Sequence, residues 1–155
     1  MNNQSVSLYF EQDHERLDSL FRKFQELKRT DAPNAKEYFK EFNIGLQRHI
    51  VWEEDILFPL FEEKTGAHEV GPTAVMRMEH RQIKKHLEAI HDRVKVGNPD
   101  TDADEQLLLN TLFMHNQKEE SILYPATDRL LSEAERKSVF TSMDAIPEER
   151  YHYCC

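Results

Sequence analysis

Apolar residues recur along this chain at alternating steps of four and three, the period of a helix with one buried face. Residues 7–29 carry Phe10, His14, Leu17, Phe21 and Phe24. Residues 35–63 carry Phe42, Leu46, His49, Glu53, Ile56 and Leu60. Residues 72–96 carry Met76, His80, Ile83, Leu87, Ile90 and Val94, and residues 102–125 carry Leu108, Leu112, His115, Glu119, Ile122 and Ala126. Arg29 to Asn34, Gly71-Pro72 and Gly97 to Asp100 are the turn signals between them. Four such helices on short loops predict an all-α fold, an up-down-up-down antiparallel four-helix bundle. Ser132-Glu133-Ala134-Glu135 fits a capping box, so a short fifth C-terminal helix is expected over about 133–144. The chain reads as one domain with its core over about 7–126, and a tail from Pro147 without readable structure.

Each stripe is interrupted only by histidine or glutamate: His14; His49 and Glu53; His80; His115 and Glu119. An unpartnered buried carboxylate costs several kcal/mol or takes up a proton. Six ionisable groups in one core would outweigh an ordinary folding stability of about 5–15 kcal/mol. Two buried ion pairs with two satisfied core histidines would answer for any of these residues singly. For all six together, a shared metal site is the better account. The spacing supports it, because residues 49–59 (HIVWEEDILFP) and 115–125 (HNQKEESILYP) repeat one pattern: His, three residues, Glu-Glu, one residue, Ile-Leu, an aromatic, Pro. A four-residue step stacks His49 over Glu53, and His115 over Glu119, on one helix face. Pro59 and Pro125 predict a kink or a helix end.

Four imidazoles and two carboxylates exceed the four ligands of a tetrahedral zinc and suit two metals instead. Glu53 and Glu119 would bridge, with histidines on either side. Nitrogen and oxygen ligands without thiolate favour iron, with manganese or zinc as substitutes. The ligand count leaves positions for an oxo or hydroxo bridge and for a small exogenous ligand. His68, His86, His91 and His152 lie in a loop, on the opposite face, three turns away or in the tail, and are not candidates. Glu54 and Glu120 rotate off the stripe and read as solvated, with a bond to a histidine as the alternative; substituting Glu54 is expected to be silent. Trp52 and Tyr124 read as packing residues.

A net charge of −9 without any basic stripe argues against nucleic acid and anionic membranes. No apolar run spans a bilayer and no secretory leader is visible, so the expected location is cytoplasmic. Cys154 and Cys155, adjacent at the end, cannot staple a fold; a redox or metal-handing tail is the less favoured reading of the pair.

The chain resembles the hemerythrin-like, or HHE cation-binding, family. The likeness rests on Asp13-His14, the two H-x3-E-E-x-I-L-[FY]-P segments, and Met76-Arg77-Met78-Glu79-His80. It implies a four-helix bundle holding a non-haem diiron centre on His14, His49, Glu53, His80, His115 and Glu119. Oxygen carriers of the family have a further histidine one turn from the first in the third helix. Here the neighbours of His80 on that face are Met76 and Lys84, so the site is either more open there or completed by Glu79. That departure resembles the iron-repair and iron-sensing branches more than the oxygen carriers. The leading expectation is a diiron protein that binds or senses O2 or NO, or responds to peroxide. Iron storage, donation or cluster repair is the alternative, and a diiron oxidase or peroxidase comes third. A binding or sensing protein is expected rather than a conventional enzyme, in an oligomeric state that the sequence does not specify.

Overall fold

Each of the four stripes folds as a long helix, and a computed structural model describes residues 4–152 of the chain. Helix α1 (Val6–Leu27) is capped by Ser5, whose side chain accepts from the Leu8 amide. Helix α2 (Ala32–Trp52) is capped by Asp31 and takes Pro33 into its first turn, where a missing N–H is harmless. It therefore starts earlier than the turn signals suggested. A π-helical turn (Glu53–Leu57) joins α2 to α3 (Phe58–Thr65) without a break. Helices α4 (Pro72–Lys95) and α5 (Asp102–Lys118) follow, and a second π turn (Glu119–Leu123) leads into α6 (Tyr124–Leu130). The fifth helix of the sequence reading is α7 (Glu133–Asp144), with the capping box of Ser132 and Glu135 formed.

His14 lies early in α1, His49 late in α2, His80 early in α4 and His115 late in α5. Bringing these four level requires neighbouring helices to run in opposite directions, as the bundle topology demands. Gly45 lets α1 and α2 approach closely, since a Cβ there would meet Leu17 Cδ2 at 2.8 Å. The apolar core falls into two clusters. One, around Phe21, Phe39, Phe42, Ile83, Leu87 and Leu108, fills the far half of the bundle. The other, around Phe10, Leu57, Phe58, Tyr124 and Phe140, closes the near end, where α7 packs. The six polar stripe residues are buried near the residues of both clusters.

The stripes hold up to the two π turns and then shift by one residue. Ile56 and Ile122 were expected in the core, yet Ile56 is only partly buried and Ile122 is exposed. Leu57 and Leu123 are buried instead, along with Phe58 and Tyr124. The prolines explain this. Pro59 and Pro125 offer no amide to the preceding turn and crowd its carbonyl. The backbone responds by widening: the Phe58 amide bonds to the Glu53 carbonyl and the Tyr124 amide to the Glu119 carbonyl, each five residues back. One extra residue per turn rotates everything downstream. The predicted kink is thus a π turn that begins at each glutamate of the repeat.

One smaller correction concerns the tail. A 3-10 turn forms at Glu148–Arg150, where Arg150 pairs with Asp55 at 2.6 Å. Cys154 and Cys155 lie outside the described residues. No helix among those described is long and apolar enough to cross a membrane.

Candidate metal centre

The six residues of the stripes meet in one layer. Single ligand atoms of Glu53, His80, His115 and Glu119 all lie within 4.8 Å of one another, and so do those of His14, His49 and Glu119. His14 Nε2 and His115 Nε2 each stand 3.3 Å from Glu119 Oε1. His80 Nε2 and His49 Nε2 stand 3.3 and 3.5 Å from Glu53 Oε1. The histidines divide into two facing pairs, with ring centroids 4.7 Å apart for His14 and His49 and 4.8 Å for His80 and His115.

Behind each histidine stands a carboxylate from the neighbouring helix. Asp13 on α1 accepts from His49 Nδ1 on α2 at 2.8 Å. Glu54, just after α2, accepts from His80 Nδ1 on α4 at 2.6 Å. Glu79 on α4 accepts from His115 Nδ1 on α5 at 3.0 Å, and Glu120, just after α5, accepts from His14 Nδ1 on α1 at 3.2 Å. The four bonds close a ring around the bundle. A carboxylate on Nδ1 fixes the tautomer, leaving the Nε2 lone pair directed inward and more basic. Arg16 backs Asp13, and Lys118 backs Glu79.

This geometry revises three expectations. Glu54 and Glu120 are not merely solvated; each holds a histidine. Glu79 does not complete the site beside His80, because its two oxygens go to His115 and Lys118. Nor does the face of His80 open outward: Phe58 stacks on its ring at 5.7 Å and 14°, and Met76 is buried one turn away. The Met76 side of His80 is filled with apolar packing, and Lys84, one turn the other way, is half-buried.

Tyr124 is the residue that stripe reasoning missed. Its hydroxyl donates to Glu53 Oε2 at 2.9 Å and lies 3.2 Å from His49 Nε2 and 3.4 Å from His14 Nε2. On a regular helix, five residues past Glu119 would place it about 140° off the stripe. The π turn brings it back to the centre. The sequence does carry a signal, the proline that follows each aromatic of the repeat.

The inward atoms form close ion pairs but are short of hydrogen bonds. Glu53 and Glu119 are completely buried, and Glu53 Oε1, both carboxylate oxygens of Glu119 and His80 Nε2 have no hydrogen-bond partner. Burial pushes the Glu53 carboxyl upward, and the neighbouring charge of Glu119 adds to this. For Glu119 burial acts the same way but is outweighed by His115, Glu53 and His14, which hold it well below the usual carboxylate range. Burial would depress the histidines too. It is outweighed by Glu119, Glu53 and Glu120 at His14 and by Glu53, Glu54 and Glu119 at His80, raising each to about 9. Asp13 is lowered to about 2, its burial outweighed by His49 and Arg16. Four inward nitrogens, unpartnered inward oxygens and four supporting carboxylates fit cations, and the mixed nitrogen and oxygen donors suit iron.

Comparison with known proteins agrees with this chemistry. The chain is 26% identical to the iron-sulfur cluster repair protein YtfE of Enterobacter sp. (strain 638), and equally to those of Escherichia coli O81 (strain ED1a) and Escherichia fergusonii. Each match covers 76% of this chain and 60% of the relative, so the chain spans about three-fifths of the length of these proteins. No solved structure matches. The hemerythrin HHE cation binding domain matches residues 7–127, over the whole four-helix core and all six inward ligand candidates, and the chain belongs to that family.

Proposed function

We propose that this protein is an iron-handling bundle that holds two iron ions on His14, His49, Glu53, His80, His115 and Glu119 and gives up iron for the repair of iron-sulfur clusters. The observation that carries the reading is the set of unpartnered, fully buried oxygens on Glu53 and Glu119, enclosed by four carboxylate-backed histidines. Iron bound there would supply redox chemistry and a stock of transferable metal. The similarity to cluster-repair proteins supports donation over oxygen carriage. So does the absence of a second histidine beside His80, whose neighbours one turn away are Met76 and Lys84.

The chain's own residues would do three things. The outer carboxylates engage each Nδ1 and so aim each Nε2 inward, where metal would displace its proton. Tyr124 donates to Glu53 Oε2 and fixes the carboxylate so that Oε1 faces the His80 and His49 nitrogens. The two apolar clusters flank the layer on either side and hold the helices that carry it. Anaerobic loading with Fe(II), followed by metal analysis and incubation with a protein carrying a damaged cluster, tests the reading. Near two irons per chain and restored cluster absorption are expected. Iron retained for hours against a strong chelator would overturn donation, and no iron uptake would overturn the centre itself.

One observation favours a second reading, binding of a diatomic ligand. The cavity among the six residues is the space the metals would fill, and Leu17, Phe42, Leu46, Ile50, Ile83 and Leu112 make most of its remaining wall, with Asp18 and Asn116. An apolar wall beside the metals favours an uncharged diatomic such as O2 or NO over water. Titrating the anaerobic Fe(II) protein with NO and finding no change in visible absorption would dismiss it.

A further inference from the structure

The cavity among the six residues does not end there. Its lining includes Asp18 of α1 and Asn116 of α5. Both also line a surface groove of about 600 Å³ between those two helices, and His14 and Leu112 line it as well. The central cavity and the groove therefore adjoin, with His14, Asp18, Leu112 and Asn116 as their shared wall. A second groove, on the α2/α4 side around Gln47, Lys84, Leu87 and Glu88, shares no lining residue with the central cavity.

His14 is also the most loosely held histidine of the four. Its bond to Glu120, at 3.2 Å, is the longest of the ring. The Glu120 side chain is 38% exposed, against 9% for Asp13, 13% for Glu79 and 28% for Glu54. Glu120 lines the same groove. The groove carries Glu15, Asp18 and Glu120 against Arg22, an acidic excess that raises the local concentration of a dication. Beyond His14, in the central cavity, stands Glu119, fully buried, with neither oxygen hydrogen-bonded and Oε1 3.3 Å from His14 Nε2.

We propose that the α1/α5 groove is the path by which a divalent cation enters and leaves the centre, with Asp18 and then Glu120 as successive oxygen contacts and His14 as the ligand that yields first. Iron leaving for an acceptor exits from the His14 and His49 side, while His80 and His115 keep their ion longer. This rests on the iron-centre reading and adds the direction of exchange.

The test is stopped-flow uptake of Fe(II) by the anaerobic metal-free full chain, followed by removal with a bidentate Fe(II) chelator. Asp18→Asn removes charge from the mouth, Asn116→Trp plugs it, and Glu88→Gln removes an equal charge from the other groove. Asp18→Asn is expected to slow uptake roughly tenfold, and Asn116→Trp to slow both uptake and removal at least as much. Glu88→Gln keeps the wild-type rates, and removal from the wild type shows two phases. Wild-type rates in both groove variants, or equal slowing in Glu88→Gln, would overturn the path. If Asn116→Trp does not fold, the exposed Asp18→Asn decides alone. Uptake tests the path even if the wild type never releases iron, an outcome that strikes donation instead. A wild type that takes up no iron fails the centre and this inference with it.

Discussion

Glu54 and His80 meet at 2.6 Å across two helices, the shortest of the four carboxylate–histidine bonds that ring the centre. Glu54 directs His80 Nε2 inward without itself facing the cavity. Glu54→Ala should lower metal affinity by roughly 10–100-fold. Competition against a chelator of known affinity measures this directly. Equal affinity in variant and wild type would return Glu54 to the solvated role its sequence position suggested.

Glu53 has opposite effects in the two states of the protein. Without metal it is a buried carboxyl crowded by Glu119, so Glu53→Gln should raise or maintain the melting temperature of the stripped protein. With metal it is an inward donor, so the variant should lose the added stability that metal gives, about 2.7 kcal/mol at a hundredfold excess over Kd. His115→Ala should lose the same increment without the compensating gain. Thermal unfolding with and without Fe(II), alongside metal analysis, separates the two.

Tyr124→Phe removes a single hydroxyl from a fully buried ring and leaves Glu53 Oε2 without its donor. The loss should be about 1–3 kcal/mol in urea unfolding of the metal-free protein, the cost of an unsatisfied buried acceptor. The helical circular dichroism should be unchanged. A variant as stable as the wild type would show that the hydroxyl does not secure Glu53.

The metal-free protein should be most stable in mildly acidic solution. His14 and His80 are raised from 6.5 to about 9 in the fold, so the stability they contribute is full below 6.5 and is lost as pH rises through about 9. Asp13 is lowered from 3.8 to about 2, so its contribution is present above 3.8 and is lost as pH falls through about 2. The melting temperature of stripped protein should therefore decline from pH 6.5 to 9. Metal competes with those protons, so the gap between loaded and stripped protein should widen over the same interval. A gap that narrows would contradict these assignments.

Much of this was legible along the chain, and the reason is periodicity. Within an unbroken α-helix a 3.6-residue repeat fixes which side chains share a face. The stripes up to Glu53 and Glu119 therefore named the core and the six inward residues before any fold was known. The outer ring left a weaker trace: Asp13 and Glu79 directly precede His14 and His80, and Glu54 and Glu120 directly follow Glu53 and Glu119. Adjacent residues on a helix point about 100° apart, and a single helix cannot show what lies in that direction.

Helix packing decided the rest. Each outer carboxylate acts on a histidine of a different helix, so its role exists only once four helices close around one layer. Tyr124 depended on the π turn, a backbone response to Pro125 that shifts the register by one residue and that no fixed period anticipates. The space beside His80, open to several readings in the sequence, is closed by Phe58, which the equivalent shift before Pro59 turns inward. Sequence alone determined which residues form the inner layer. The tertiary structure determined what holds them in place, and which side of the layer adjoins a surface groove.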